Sequence, residues 1–248
     1  QSDAMTIADV ISGSGIVKQE GSGTLTLSAT NSYAGGTQVN AGTLAISTDR
    51  NLGAEPASFD ADNISLNGGT LQFTTGFTTL HPNRGITLAG NGTLSTDASV
   101  LVNYAGVIAG TGGLVKSGSG TMTLSGANNY SGGTTITSGT VVDTSATGLG
   151  SSSASLTLFN LAKLDLQNAL TVGSLSMSAG SQIVNTGGTS SLTVSGASTL
   201  GNAVTTTGTQ TYNGNITLLG NTSLTAGLFS FTASTTSGEI GRASCRER

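Results

Sequence analysis

Two stretches of this sequence, residues 21–44 and 118–141, align without a gap at an offset of 97 residues. The positions that agree include glycines, an asparagine and a tyrosine at fixed places in both copies. They are Gly21, Gly23, Asn31, Tyr33, Gly35 and Gly36 in the first copy, and Gly118, Gly120, Asn128, Tyr130, Gly132 and Gly133 in the second. Self-similarity at a fixed offset is typical of stacked architectures. These positions are therefore predicted to form a structural repeat and not a catalytic site.

Apolar residues alternate with Thr or Ser inside each copy, as in Leu25 and Leu27 or Met122 and Leu124. A period of two predicts short strands whose neighbouring side chains point to opposite faces. Gly, Asn and Ser separate these segments, and such residues tolerate positive φ or bond their own backbone at turns. Each copy is therefore predicted to contain several short strands joined by tight corners.

Two all-β architectures fit short strands with this spacing: an antiparallel sandwich or barrel, and a solenoid. The repeat favours a β-solenoid forming a single elongated stack, because a coil places like residues over like. Asn31 and Gly35 are then expected to occupy equivalent corners in later turns. With about 20 residues per turn and a strand spacing of about 4.8 Å, the chain would make roughly 12 turns and a rod about 55 Å long.

The composition excludes several classes of protein. The chain has 38 Gly, two Pro, no Trp and 8% charged residues, which is unusual for a compact enzyme, yet its 35% hydrophobic content recurs too regularly for disorder. A formal net charge of −4 gives no basic field that would attract nucleic acid or an anionic membrane. A nucleic-acid partner is therefore not expected. The sequence also lacks an apolar run of about 18 residues, the length that a membrane-spanning helix requires.

The sequence divides into three segments. Residues 1–149 contain the two copies, at about 10–47 and 107–142, and residues 150–238 are a divergent Thr/Ser-rich continuation with the same alternation. In residues 239–248 the alternation stops, Arg clusters, and the only cysteine appears. This tail resembles a translated sequencing-library adapter, so we interpret it as non-native and exclude it from fold reasoning. The chain also begins in mid-pattern, which we interpret as the start of a fragment.

Two further expectations concern the edges of the copies. Residues 49–56 interrupt the alternation with charge, Gly and Pro, and they are predicted to be a corner loop that leaves the stack. Upstream, residues 10–18 align with 107–116 if Gly113 is an extra residue, so that Lys18 corresponds to Lys116.

The patterns Gly-x-Gly-Thr-Leu/Met-x-Leu, Asn-x-Tyr-x-Gly-Gly-Thr and Gly-Thr-Leu/Val occur in this order in both copies. Together they resemble the passenger-associated repeat of bacterial autotransporters. Residues 66–71, 84–88 and 106–116 also resemble that family's spacer, and residues 204–218 are similar to strand repeats of filamentous-haemagglutinin-like adhesins.

The resemblance implies a right-handed parallel β-helix without a cofactor. It also implies export through the bacterial outer membrane by a β-barrel translocator, with the repeat assisting passenger folding, and a final place at the cell surface or outside the cell. The expected function is a structural or adhesive stalk. Its partners would be host-surface or extracellular-matrix glycans or proteins, or further copies of itself. Binding would use the Thr/Ser/Asn-rich faces or the loops 49–56 and 143–154.

A carbohydrate-active β-helix enzyme, a polysaccharide lyase or hydrolase, is the alternative function. Asp60 and Asp62 are two residues apart and would share a strand face, which suits Ca²⁺ or a carboxylate pair, although a solvated face is the interpretation we favour. The single histidine, His81, lies beside Pro82 and is predicted to be an exposed loop residue; one histidine also excludes a two-histidine metal motif. Acids and bases form no dense cluster in the sequence, so no catalytic residue is predicted.

The remaining candidates are also interpreted as structural. Residues 110–117 mimic a phosphate-binding loop, but Val115 stands where a glycine must precede the lysine, so a turn is predicted. The aromatic rings of Tyr33 and Tyr130 could stack on sugars. Their fixed place in the repeat instead favours packing beside a corner.

Overall fold

The chain winds into a parallel β-solenoid in a computed structural model that describes residues 3–232 and 244–247. The strands are β1 Met5–Ile7, β2 Val17–Gln19, β3 Thr24–Leu27, β4 Thr37–Val39, β5 Thr43–Ile46, β6 Asp60–Leu66, β7 Thr70–Phe73, β8 Thr79–Leu80, β9 Arg84–Leu88, β10 Gly92–Thr96, β11 Leu101–Tyr104, β12 Ile108–Gly110, β13 Leu114–Ser117, β14 Thr121–Leu124, β15 Thr134–Ile136, β16 Thr140–Asp143, β17 Ser155–Leu158, β18 Lys163–Leu166, β19 Ala169–Val172, β20 Ser174–Met177, β21 Gln182–Val184, β22 Ser191–Val194, β23 Ser198–Leu200, β24 Ala203–Thr205, β25 Thr209–Tyr212, β26 Ile216–Leu218, β27 Ser223–Ala226, β28 Leu228–Phe231 and β29 Ser244–Glu247. A short 3-10 helix, Asp49–Leu52, follows β5. The predicted all-β solenoid is thus confirmed.

The strands lie on three faces around the core, and some turns have strands on only two of the three. Face 1 is an 11-stranded sheet with the order β1-β3-β5-β7-β10-β13-β15-β17-β20-β23-β26, and face 2 is a nine-stranded sheet with the order β8-β11-β14-β16-β18-β21-β24-β27-β29. Face 3 consists of a five-stranded sheet, β2-β4-β6-β9-β12, followed by a four-stranded sheet, β19-β22-β25-β28. Each strand pairs in parallel with the strand one turn earlier, as β7, β8 and β9 do with β10, β11 and β12.

The length of a turn varies along the stack. Along face 1, the pair Leu200 and Leu218 encloses a turn of 18 residues, and the pair Leu44 and Leu71 encloses a turn of 27. The expected 20 residues per turn lies inside this range. Eleven strands at about 4.8 Å give a stack about 50 Å long, close to the expectation from the sequence.

The core is a ladder of inward-pointing side chains. On face 1, Leu25, Leu44, Leu71 and Leu94 lie directly over one another in successive turns, and all four are buried. Each buried leucine stabilises the fold by about 1.5 to 3 kcal/mol relative to an exposed one. Because every turn contacts only its neighbours, stability accumulates turn by turn.

The second copy of the repeat lies one face further round the coil than the first. Four turns after Leu25, the ladder on face 1 reaches Lys116, whereas Met122, the sequence counterpart of Leu25, comes six residues later on face 2. The expectation that the copies occupy the same corner in later turns is therefore wrong. The physical reason is that the offset of 97 residues is not a whole number of turns of this uneven length.

The segment 49–56 does not leave the stack as predicted. Asn51 and Leu52 are buried, and Leu52 belongs to the hydrophobic core. The Asn51 side chain secures the turn, since its Oδ1 accepts hydrogen bonds from the backbone N–H groups of Ser47 and Thr48 at 2.9 Å. Only the rim, residues 54–59, is largely exposed.

The tail that the sequence sets apart, residues 239–248, is described only at β29, whose backbone pairs in parallel with β27. The interpretation of its other residues lies outside the described part of the chain. Within the described residues, no helix has the length and hydropathy required to cross a bilayer.

Candidate functional site

The first repeat is built around the side chain of Asn31, which bridges three successive turns. Its Oδ1 accepts a hydrogen bond from the backbone N–H of Ile11 at 2.8 Å, and its Nδ2 donates to the carbonyl of Asn51 at 2.7 Å. Ile11 lies one turn before Asn31 and Asn51 lies one turn after it. The corner would leave these backbone groups without partners, so one buried amide satisfies a donor and an acceptor from different turns.

The second repeat contains the same bridge. Asn128, 3% exposed, accepts a hydrogen bond from the N–H of Ile108 at 2.7 Å and donates to the carbonyl of Gly148 at 2.6 Å. The same bridge therefore forms in both repeats, although the second repeat lies on a different face of the coil.

A buried tyrosine follows each bridging asparagine by two residues. The hydroxyl of Tyr33 pairs with Thr37 Oγ1 at 2.8 Å, and that of Tyr130 pairs with Thr134 Oγ1 at 2.5 Å. Burial raises the pKa of both phenols above the ordinary value, and the hydrogen bonds that the phenols make with Thr37 and Thr134 oppose this rise only in part. The structure places both rings inside the stack, so neither presents a surface on which a sugar could stack.

The glycine pair after each tyrosine permits close stacking of neighbouring turns. A Cβ on Gly35 would lie 2.6 Å from the backbone of Gly15, and one on Gly132 would lie 2.4 Å from the backbone of Gly112. Gly36 and Gly133, the second members of each pair, would likewise meet the following turn at 2.7 Å. These glycines are required because the backbones approach too closely for any side chain.

The first glycines of each copy supply carbonyl acceptors to a buried side chain. Gln19 Nε2 donates to the carbonyls of Gly21 and Gly23, each at 2.9 Å. In the second copy Lys116 Nζ donates to the carbonyls of Gly118 and Gly120 at 2.9 and 3.2 Å. Burial lowers the pKa of Lys116 to about 8, which leaves the ammonium protonated at neutral pH.

This geometry corrects the upstream alignment. Lys18 is exposed, and Gln19 is the counterpart of Lys116. The expected extra residue at Gly113 shifted the alignment by one, and in a strand a shift of one residue exchanges the buried and exposed faces. Residues 110–117 form the end of β12, a turn and β13, with no helix after the turn, and Lys116 points into the stack.

Comparison with known proteins decides what these units are. A family profile described as passenger-associated-transport-repeat matches residues 18–46 and 114–142. The two copies are passenger-associated transport repeats. The chain is also 45% identical over 105 residues to the adhesin BmaC autotransporter of Brucella suis biovar 1 (strain 1330). That match covers 42% of this chain and 3% of the adhesin, so the chain spans a small part of its relative's length. No solved structure matches.

The structural correspondence between the two copies continues beyond residues 47 and 142. Gly53 and Gly150 are also 97 residues apart, and each lies against the tyrosine of its repeat. A Cβ on Gly53 would lie 2.3 Å from the Tyr33 carbonyl oxygen, and one on Gly150 would lie 2.8 Å from Tyr130 Cε2. The preceding leucines are buried in both copies. The same offset of 97 residues was the signal that could have found these positions.

A polar cluster around a buried arginine, which the sequence did not predict, lies between the repeats. We call Asp49, Asp60, Asn63, His81 and Arg84 the Arg84 cluster. Arg84 is fully buried; its Nε contacts Asp49 Oδ1 at 3.0 Å and its Nη1 donates to Asn63 Oδ1 at 2.9 Å. Asn63 in turn donates to Asp60 Oδ2 at 3.0 Å.

The Arg84 cluster changes the interpretation of His81. His81 lies in a loop between β8 and β9, as predicted, but it is half-buried and not exposed, and its backbone N–H donates to Asp49 Oδ1 at 2.9 Å. Asp60 is in the cluster, whereas Asp62 is exposed and apart from it. Acids and bases that are dispersed in the sequence thus converge, but they do so around a guanidinium whose hydrogen bonds are satisfied. Over the described residues, no three His, Cys, Asp or Glu side chains are arranged to hold a metal ion.

The outer side of face 1 carries a row of nine Thr and Ser side chains, interrupted by Val115, which we call the hydroxyl ladder. Its members are Thr24, Thr43, Thr70, Thr93, Val115, Thr135, Thr157, Ser176, Thr199 and Thr217, each paired with the next. None is charged, and all are half-buried or exposed. With a spacing of about 4.8 Å the ladder is about 40 Å long. It presents an uncharged surface of hydroxyl and methyl groups along most of the stack.

Proposed function

We propose that this chain is a rigid, non-enzymatic section of an autotransporter passenger that is exported to the cell surface or beyond it. The two repeats assist folding of the coil as it emerges from an outer-membrane β-barrel translocator. The observation that carries this proposal is the asparagine bridge, which joins three successive turns in both repeats. The similarity to an adhesin autotransporter supports the same assignment.

The physical argument concerns how a solenoid grows. Each new turn must find its register on the turn before it, and a slip of one residue would expose the core residues. A side chain that bonds the backbone on both sides fixes that register at one corner. The turn that follows Asn128 is then held by its carbonyl at Gly148 as soon as it reaches the stack. Two such corners, four turns apart, would fix the strand register at two positions while the coil forms.

A deletion that preserves the register tests the folding role. Residues 121–139 make up one turn of the coil, because Thr121 pairs with Thr140 in the next turn. Their removal deletes Asn128 and Tyr130 and leaves the strand register of the remaining turns unchanged. In an exported autotransporter passenger carrying this chain, we expect the deletion to lower the amount of protease-resistant passenger at the cell surface. The matched control removes residues 175–197, the turn between the paired Leu175 and Ser198. Equal surface amounts for the two deletions would contradict a special role of the repeat.

The hydroxyl ladder is the surface that we propose for adhesion to host-surface or extracellular-matrix glycans or proteins. Its hydroxyls donate and accept hydrogen bonds, and its methyl groups add apolar contact, without any charge that would restrict the partner to one sign. The carbohydrate-active alternative has less support, because Asp60 is bonded to Asn63 and Asp62 stands apart.

Adhesion by the ladder is testable with the purified chain on immobilised matrix proteins and glycans. We expect the double substitution Thr93→Lys and Thr135→Lys to abolish binding, because two long charged side chains would interrupt the flat surface. Thr123→Lys is the control, since Thr123 is half-buried on the outer side of face 2. If the ladder variant binds as well as the control, the ladder is not the adhesive surface.

A further inference from the structure

Asp143 is a buried carboxyl group at the end of β16 in the second repeat. Its side chain is 0% exposed and lies in the inward row between Leu124 and Leu166 of the neighbouring turns. Oδ1 accepts a hydrogen bond from the backbone N–H of Ser145 at 3.2 Å, whereas Oδ2 has no hydrogen-bond partner. A carboxylate would be poorly stabilised there, since a buried charge without a partner is costly.

The first repeat shows what this position contains when no acid is present. The counterpart of Asp143 is Ile46, a core residue, and the counterpart of Gly148 is Asn51. In the first repeat Asn51 Oδ1 accepts the N–H of Thr48, which corresponds to Ser145 in the second.

The equivalent backbone N–H groups, of Thr48 and Ser145, therefore bond to different side chains in the two repeats: Asn51 in the first and Asp143 in the second. The side chain at 148 is absent, and a Cβ on Gly148 would lie 2.0 Å from Asp143 Oδ1. The Asp143 carboxyl occupies this space and accepts the hydrogen bond that the Asn51 amide accepts in the first repeat. An uncharged group has thus been replaced by one that ionises.

No cation on the surrounding strands compensates an Asp143 carboxylate. On β18, Lys163 and Asp165 alternate with the inward leucines; Asp165 is 5% exposed on the opposite side of the strand, where it accepts hydrogen bonds from Thr186 and Gln167. β14 carries no charged residue.

The ionisable group that faces Asp143 from the repeat itself is the Tyr130 phenol, which Asp143 makes harder to ionise. Burial raises the pKa of Asp143 to about 7, and the hydrogen bond from Ser145 opposes this shift to a smaller extent.

We propose that Asp143 makes the second repeat an acid-stabilised latch, in which the protonated carboxyl lets residues 144–150 pack over Tyr130 and its ionisation loosens them. The first repeat, with Ile46 and Asn51 in the equivalent places, does not respond to acidity. The inference concerns local stability and does not depend on the proposed role in export.

The direction of the effect follows from proton linkage. The folded latch binds the proton more tightly than the open state, so its stability is fully present below the ordinary aspartate pKa of about 4. It decreases as the pH rises and levels off above about 7, the folded pKa. With these two values, the equilibrium constant for local opening rises about 30-fold between pH 5.5 and 8.5.

Hydrogen exchange on the full chain tests this proposal with the first repeat as an internal control. After correction for the intrinsic exchange rate, protection of residues 144–150 is expected to fall about 30-fold between pH 5.5 and 8.5. Protection of residues 47–53 is expected to stay constant. Asp143→Asn is expected to remove the pH dependence.

Two graft variants keep the test decisive if that substitution disturbs the fold. The double variant Asp143→Ile and Gly148→Asn restores the arrangement of the first repeat and is expected to be insensitive to pH. The reverse double variant, Ile46→Asp and Asn51→Gly, is expected to make residues 47–53 sensitive. Equal pH responses of the two loops in the unmodified chain, or a response that persists in both variants without Asp143, would overturn the proposal.

Discussion

Replacing Asp49 with alanine is expected to lower the free energy of unfolding by about 3 to 5 kcal/mol, because the charge of Arg84 would remain buried without a counter-ion. The Arg84 side chain is 0% exposed, and its Nε lies 3.0 and 3.1 Å from the two carboxylate oxygens of Asp49. Its other N–H groups donate to Asn63 Oδ1 and to the carbonyls of Leu52 and Gly53. Those acceptors hold the guanidinium in place, so it cannot turn to water when Asp49 is lost.

Urea unfolding followed by circular dichroism measures this effect. The control is Glu55→Ala, which removes an acid from the exposed Arg50–Glu55 pair, 3.6 Å apart with side chains 62% and 36% exposed. We expect the control to cost less than about 1 kcal/mol, since exposed ion pairs contribute little. A second substitution, Arg84→Met in the Asp49→Ala background, should recover part of the loss by removing the unpaired charge. Similar urea midpoints for Asp49→Ala and Glu55→Ala would show that the buried Asp49–Arg84 pair does not stabilise the fold more than the exposed pair does.

The Arg84 cluster also marks the limit of what the sequence could predict. Alternation of Leu with Thr or Ser determines which side chains point inward, and the repeated unit indicates stacking, so the solenoid was predictable. Asp49, Asn63 and Arg84 come together only because the long turn between Leu44 and Leu71 folds back on the stack. Nothing in the local pattern gives the length of that turn.

The rotation of the second repeat was unpredictable for the same reason. Local features, the asparagine bridge and the glycine pair, follow the sequence unit, whereas the face on which the unit lies depends on the number of residues in every intervening turn. The alignment that paired Lys18 with Lys116 shows how sensitive this is. One misplaced residue paired the exposed Lys18 with the buried Lys116, whose counterpart in the structure is the buried Gln19.

Replacing both bridging asparagines, Asn31 and Asn128, with alanine is expected to lower the free energy of unfolding by about 4 to 12 kcal/mol. Each substitution leaves a backbone N–H and a carbonyl from different turns without partners, and each such buried group costs about 1 to 3 kcal/mol. Asn128→Ala should be the more destabilising single change. Ile108, whose N–H it bonds, is fully buried, whereas Ile11 is half-buried and water can replace part of the lost bond.

Additivity gives this prediction a second readout. The asparagines are four turns apart, about 20 Å along the stack, and such distant sites act independently to within about 0.5 kcal/mol. The control is Asn103→Ala, because Asn103 is exposed on face 2 and makes one long hydrogen bond of 3.4 Å. Denaturant unfolding of the four variants is therefore expected to show a loss of unfolding free energy in the double mutant equal to the sum of the two single losses. The control is expected to be nearly unchanged.

If Asn128→Ala lowered the unfolding free energy no more than Asn103→Ala, the bridge would contribute nothing to the stability of the stack, and the folding role proposed for the repeats would lose its physical basis. A large loss of unfolding free energy in Asn128→Ala would instead show that one side chain contributes strongly to the stability of the coil at each repeat.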